Sequence, residues 1–286
     1  MRGIGAVGER SAADAFMDSG RKGKGNAMVA LFSATMLDTA RIRAMTLDLD
    51  DTLWPVWPAI RRAEQVLRDW LGTRAPATAA LLADAETAAV IRAEVVQAHA
   101  HLSHDLSALR RESIRAALRR AGEDESLTDA AYELFFAERQ RVDLYDDAIA
   151  ALEFLAPRYP LMALTNGNAD LQRIGLGGYF QGSVTARTFG VAKPDPRIFR
   201  EAAQRLGVPP EAVLHVGDDA TLDAHGALQA GMQAVWINRA GIAWPHEGPA
   251  PAVVEDLTGL CRLLAPQLAA PRQQDGAQTA GSGCRP

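Results

Sequence analysis

Four short stretches hold the residues whose types and spacing can do chemistry. Thr46-Leu47-Asp48-Leu49-Asp50-Asp51-Thr52-Leu53 carries an apolar run directly into three carboxylates and a threonine. Leu161-Met162-Ala163-Leu164 ends at Thr165-Asn166-Gly167, and Val213-Leu214-His215-Val216 ends at Gly217-Asp218-Asp219. Lys193 stands just before Pro194-Asp195-Pro196. Apolar runs that stop at polar groups place those groups at the carboxyl ends of strands. In a parallel sheet these ends share one edge, where open α/β sheets bind ligands. Asp48, Asp50 and Asp218 supply hard oxygen ligands of the kind magnesium takes together with water and substrate phosphate. Lys193 offers a point charge to a phosphate oxygen and Thr165 a hydroxyl donor. The set describes phosphoryl transfer, in which positioning and charge neutralisation carry most of the catalysis.

The elements that must position these groups alternate. A first strand covers roughly Arg43 to Leu49. From Trp57 to about Val142 the period changes to helical: Ala59-Ile60, Ala63, Val66-Leu67 and Trp70-Leu71 repeat at three and four residues up to Gly72. Further amphipathic stretches run Ala77 to His99, Leu106 to Ala121, and Thr128 to Arg141 with Thr128 as N-cap. A helix Ala148 to Leu155, the strand at Leu161, a helix Ala169 to Ile174 and a short strand Ser183-Val184-Thr185 follow. Asp195 as N-cap and Pro196 at the first helical position open a helix that stops at Gly207. After the strand at Val213 a helix runs to Gly231, and Ala234-Val235-Trp236-Ile237 is the last strand. Repeated strand–helix units imply an α/β fold, a parallel sheet with helices on both faces, here interrupted by an all-helical insertion.

Composition sets bounds on function. The 286 residues are 48% apolar and 23% charged, enough to bury a sizeable core. A net charge of −5 argues against a general nucleic-acid surface, and no apolar run approaches a membrane span. Two cysteines, Cys261 and Cys284, exclude a disulfide framework. Arg21, Lys22 and Lys24 ahead of Ala27–Phe32 look like a secretory signal but lie far from Met1 and lack a clear cleavage site, so a cytoplasmic location is expected. Residues 1–40 read as a disordered leader, with Met28 or Met36 as alternative starts, and residues 265–286 as a disordered tail.

In their order, these residues resemble the haloacid dehalogenase-like superfamily of hydrolases. Its first motif, Asp-x-Asp-x-Thr, reads Asp48-Leu49-Asp50-Asp51-Thr52; the second is Thr165, the third Lys193, and the fourth Gly217-Asp218 with Asp223. The resemblance spans about Arg43 to Leu264. It implies a Rossmann-like catalytic core (residues 41–56 and 143–264) with a helical cap (residues 57–142) inserted after the first motif. It further implies Asp48 as nucleophile and Asp50 as general acid and base. Mg²⁺ would be held by Asp48, the Asp50 main-chain carbonyl and Asp218, with Asp223 close by or acting through water. Lys193, Thr165 and the Asn166 backbone N–H would bind the phosphoryl oxygens.

Taken singly, each position has a plainer reading. Lys193 fits a solvated loop lysine, Asp219 and Asp223 the acidic first turn of a helix, and Thr165-Asn166-Gly167 a turn. His215 reads as a packed core histidine, and His99, His101 and His104 fit no standard zinc spacing. Asp50, absent from the dehalogenase and phosphonate-cleaving members, favours hydrolysis of a phosphate monoester on a small metabolite. The surroundings of the first motif are most similar to bacterial phosphatases acting on FMN and on a phosphorylated riboflavin precursor. A sugar-phosphate mutase, a nucleotidase, a phosphoglycolate phosphatase or a non-catalytic binding module on the same fold are the alternatives. Arg61, Arg62, Arg110 and Arg111 are cap cations available to a polar substrate, and Trp54 and Trp57 are rings available to stack on a flat one.

Overall fold

The computed structural model describes residues 37–265. Residues 1–36 of the expected leader and 266–286 of the expected tail, with Met28, Met36 and Cys284, lie outside these residues; the end of the stretch read as leader enters a 3₁₀ turn, Thr39–Arg41. β1 (Ala44–Leu47) is wholly buried. After the first motif come the helices α1 (Val56–Arg74), α2 (Pro76–Ala83), α3 (Ala85–Ala98), α4 (Leu106–Ala121) and α5 (Thr128–Arg139). The chain then alternates: α6 (Ala148–Leu155), β2 (Leu161–Thr165), α7 (Leu171–Ile174), β3 (Gly182–Thr185), α8 (Ala186–Phe189) and α9 (Pro196–Arg205). β4 (Val213–Gly217), a π-helical turn (Ala220–His225), α10 (Gly226–Gln229), β5 (Gln233–Ile237), β6 (Ala252–Val254) and α11 (Leu257–Leu264) complete it.

The six strands form one sheet in the order β3-β2-β1-β4-β5-β6, and every neighbouring pair is parallel. The chain leaves central β1 toward β2 and β3, then returns to β4 on the other side. β1 and β4 therefore flank the point where strand order reverses, the place where such sheets bind ligands. Strand alternation divides the interior. Met45, Leu47, Leu214 and Val216 face a core closed by Leu152 and Leu155 of α6 and by Leu257, Leu260 and Leu264 of α11. Met162, Leu164 and Trp236 face a second core under α9, where Ile198, Phe199 and Ala202 pack. The insertion has an apolar centre of its own: Ala63, Leu67 and Leu71 of α1 meet Ile114 and Leu118 of α4 and Tyr132 and Phe135 of α5.

Several boundaries differ from the sequence expectation, each for a local reason. Ala77 to His99 is two helices, because the Asp84 carboxylate accepts from Thr87 N–H and starts a new one. Thr128 is inside α5 rather than its cap; its hydroxyl donates to the Glu125 carbonyl. The helix expected from Ala169 begins at Leu171, where Asp170 caps it. The helix expected after β4 starts as a π-helical turn. β6 was not foreseen: three residues at a sheet edge, beside a Pro- and Gly-rich loop, carry too little pattern.

Leu71 is fully buried at the centre of the insertion. Leu71→Ala is expected to lower unfolding free energy by about 3 kcal/mol, read from the denaturant midpoint, because the cavity cannot fully collapse.

Candidate active site

The first motif is a tight loop pinned at both ends of its arc. Asp48 N–H still donates to Val216 across the sheet, and Leu53 N–H closes back onto the Leu49 carbonyl. Asp51 sits at φ 59°, a left-handed conformation that aspartate tolerates better than most residues. Its carboxylate accepts from Val56 N–H and so starts α1. Asp51 is thus a loop-former. Thr52, buried beneath the loop, has its hydroxyl 3.2 Å from Asp48 Oδ2 and 3.1 Å from Asp218 Oδ1, joining the ends of β1 and β4.

Lys193 is buried, not a solvated loop lysine. Its ammonium donates to Asp48 Oδ1 and to Asp223 Oδ1, each at 2.5 Å. Asn166 holds the lysine by its backbone: its amide oxygen accepts from Lys193 N–H at 2.7 Å and its NH₂ donates to the Lys193 carbonyl at 3.0 Å. The sequence reading had given Asn166 only a backbone role. Thr165, also buried, accepts from Gly167 N–H, which leaves its own hydroxyl proton free to donate.

Asp223 is oriented from three sides. Besides Lys193, Asp219 N–H donates to its Oδ2 at 3.0 Å, and His215 Nε2 lies 3.1 Å from its Oδ1. A carboxylate that only accepts requires the proton on Nε2, so His215 Nδ1 accepts from the Thr46 hydroxyl at 2.7 Å. Burial lowers the His215 pKa and keeps the ring neutral. His215 is packed, edge-on to Phe199, as expected, yet it also fixes a site carboxylate. Gly217 is required here, since a Cβ would collide with the Asp223 carboxylate.

Asp48, Asp218 and Asp223 can each bring a carboxylate oxygen within 4.8 Å of the others. Three carboxylates face a single ammonium. Burial pushes Asp48 up to about 7, with Lys193 opposing and Asp223 adding to the rise. Burial, then Asp48 and Asp223, push Asp218 up to about 9. Asp223 goes the other way: burial works against its charge, but Lys193 and His215 hold its pKa below the usual carboxylate range. Burial likewise works against the Lys193 ammonium, and Asp223 and Asp48 more than offset it. A buried site with surplus negative charge and only oxygen donors fits a hard divalent cation such as Mg²⁺.

The Asp50 carboxylate is turned toward the helical insertion. Arg139 Nη2, at the end of α5, donates to Asp50 Oδ1 at 2.6 Å and lies 2.7 Å from Oδ2, while Trp54 Nε1 donates to Oδ1 at 2.8 Å. Trp54 is therefore a buried brace and not free to stack on a ligand, whereas Trp57 is 47% exposed. Arg110 pairs with Glu64 over the Phe135 ring, Arg111 with Glu133 and Asp129 over Tyr132, and Arg62 with Asp143. Arg110 and Arg111 serve the insertion itself, and Arg62 ties α1 to Asp143, where the core resumes. The cap arginine that reaches a site carboxylate is Arg139, which the sequence reading passed over; its position in the last turn of α5, nine residues before α6, was its only signal.

The comparisons with known proteins agree with this geometry. A family model described as haloacid dehalogenase-like hydrolase matches residues 42–231. The chain belongs to the haloacid dehalogenase-like hydrolase family. Among curated members, the 5-amino-6-(5-phospho-D-ribitylamino)uracil phosphatase YigB of Escherichia coli is 38% identical over 201 residues, covering 69% of this chain and 84% of that protein. The glyceraldehyde 3-phosphate phosphatase of Methanopyrus kandleri is 36% identical over 212 residues, with the same coverage of 69% and 84%. Among solved structures, a 2-haloacid dehalogenase from Pseudomonas syringae superposes with a TM-score of 0.73 at 40% identity, covering 79% of this chain and 99% of that one. The Rossmann-like sheet with its helical cap is the fold of this family, and the protein is a phosphatase by its curated relatives. No helix among the described residues is long and apolar enough to cross a membrane.

Two outcomes test the site. With Asp48 near 7 and Asp218 near 9, against an ordinary 3.8, the folded protein holds protons the unfolded chain has released. These groups therefore favour folding at low pH and lose that contribution as pH rises through their folded values, while the depressed Asp223 contributes steadily throughout this window. A cation that replaces those protons gains with pH, so Mg²⁺ should raise Tm more at pH 8 than at pH 6. Equal shifts would place the cation elsewhere. Separately, a Cβ on Gly167 would collide with Asp50 Oδ2 and lie 3.1 Å from Thr165 Oγ1. Gly167→Ala should stay folded by circular dichroism and lose at least about tenfold in kcat/KM.

Proposed function

We propose that the protein is a magnesium-dependent phosphomonoesterase acting on a small phosphorylated metabolite through an aspartyl-phosphate on Asp48. The observation that carries this is the buried cluster in which Asp48 lies against the Lys193 ammonium with Asp218 beside it and Asp50 at the adjoining turn. A carboxylate that attacks a phosphate dianion meets repulsion, and Lys193 offsets part of it. Bound Mg²⁺ would be held by Asp48, Asp218 and the Asp50 main-chain carbonyl, with Asp223 nearby or through water, and would supply further charge neutralisation.

In this reading an Asp48 oxygen attacks phosphorus, the bond to the leaving oxygen breaks, and Asp50 gives that oxygen its proton. Asp50, now a carboxylate, takes a proton from water as the water oxygen attacks the same phosphorus. The bond to Asp48 breaks, inorganic phosphate leaves, and both aspartates return to their starting forms. Thr165, the Asn166 N–H and Lys193 hold the phosphoryl oxygens. Asp50 favours this reading over dehalogenation, whose chemistry has no alkoxide to protonate.

The substrate class we favour is a phosphorylated riboflavin-pathway compound or FMN, supported by the Escherichia coli relative and by Trp57, an exposed ring at the start of α1. A cytoplasmic location belongs to the same proposal. The decisive experiment is phosphate release from a panel that includes FMN, nucleoside monophosphates and phosphoglycolate, with Mg²⁺ or with EDTA. Wild type should lose activity in EDTA, and Asp48→Asn should fall at least about 1,000-fold. Metal-loaded, folded wild type that releases nothing above Asp48→Asn from any member would overturn the proposal.

A further inference from the structure

Arg139 is an expensive residue for its position. Its side chain is only 2% exposed, and its Nη1 is buried without a hydrogen-bond partner. Burying a guanidinium is costly unless it is well paired, and an orphaned donor adds to that cost, so packing of the cap does not explain the choice. An apolar side chain at the end of α5 would serve packing better. What Arg139 does achieve is geometric. One Nη2 spans both oxygens of Asp50 at 2.6 and 2.7 Å, while Trp54 Nε1 holds Oδ1 from the other direction. Gly167 closes the remaining side, with no room for a Cβ against Asp50 Oδ2. The carboxylate plane is thereby fixed by one donor from the core loop and one from the cap.

The next residue ties the same helix end to the sheet: Gln140 Oε1 accepts from Asp170 N–H at 2.7 Å, and Asn168 Nδ2 donates to Ser107 Oγ on α4 at 3.2 Å. Arg139 is therefore in place only when the cap is seated on the loops after β2. We propose that Arg139 is a positioning residue that makes alignment of the Asp50 acid/base carboxylate conditional on cap seating. Substrates that let the cap settle receive a correctly placed proton donor; those that hold it off do not. This is a device for selectivity, since closure assembles the catalytic geometry. The inference rests on the phosphatase reading of Asp48 and Asp50.

The test compares leaving groups. p-Nitrophenyl phosphate releases a stable phenolate that needs no proton, whereas the best alkyl phosphate of the panel releases an alkoxide that does. kcat/KM reports the steps through cleavage of that bond. Arg139→Met should lower kcat/KM about 100-fold for the alkyl phosphate and within about threefold for the aryl one. Arg139→Lys should show the same selectivity to a smaller degree, and serves as the reading should the methionine variant fail to fold. In an Asp50→Asn background, Arg139→Met should add little further loss. Equal falls for both substrates, or an unaffected alkyl phosphate, would overturn the inference while leaving the phosphatase reading standing. Wild type inactive on both would instead sink that reading, and the inference with it.

Discussion

A lysine ammonium sealed between two aspartates is the interaction on which the rest of the molecule turns. Neither partner is tolerable alone in that place: an unpaired buried ammonium or carboxylate costs several kcal/mol. Lys193 at 2.5 Å from both Asp48 and Asp223 makes them mutually necessary. That requirement reaches outward through the hydrogen bonds that hold each member. Asn166 grips the lysine backbone from the end of β2, and His215 of β4 and Asp219 N–H aim Asp223. Asp223 in turn sets the histidine's tautomer, and Thr46 of β1 completes it by donating to Nδ1. Three neighbouring strands thus contribute to one charge-balanced knot at their shared edge.

Balance within the knot is incomplete, and the shortfall is informative. Asp223 and Asp218 are displaced in opposite directions: Lys193 and His215 hold Asp223 ionised, whereas burial with Asp48 and Asp223 raises Asp218 and outweighs the ammonium there. Asp218 has Thr52 for company, and its carbonyl accepts from Trp236 Nε1, but among the described residues no cation pairs with it. The polar side of the site that faces Asp218 is accordingly the side that asks for a metal, and the side that faces Asp223 is already complete. Among the three clustered carboxylates, that ranks Asp218 as the one whose charge most depends on what binds.

Much of this was legible in the residues. Asp48, Asp50, Thr165, Asn166 and Asp218 lie at or just past the ends of β1, β2 and β4, because apolar runs that stop at polar groups leave little choice in a parallel sheet, whereas Lys193 stands in the loop before α9 and Asp223 in the π-helical turn. The helical character of residues 57–142 was equally plain from period alone. Two kinds of information were not. Asn166 and His215 looked like a turn residue and a core residue because their partners, Lys193 and Asp223, are remote in sequence for the first and oriented by a π-helical turn for the second. Arg139 was hidden among many cap arginines. Pattern marks a helix face but not which of its long side chains crosses to another layer. Trp54 misled for the same reason: an indole beside a proline gives no sign of whether its N–H points at solvent or, as here, at a carboxylate.

The helical insertion leaves and rejoins the core at almost one point. Tyr145 N–H donates to the Leu53 carbonyl at 3.0 Å, and Arg239 lies over the Tyr145 ring while binding both the Thr52 carbonyl and Asp147. The cost of holding the two ends of such a segment together grows only slowly with its length. Seen as an inheritance problem, that neck is a splice site: helices can be traded, lengthened or lost above it while the knot of charge below keeps its shape. New substrate preferences can then arise by grafting rather than by redesign.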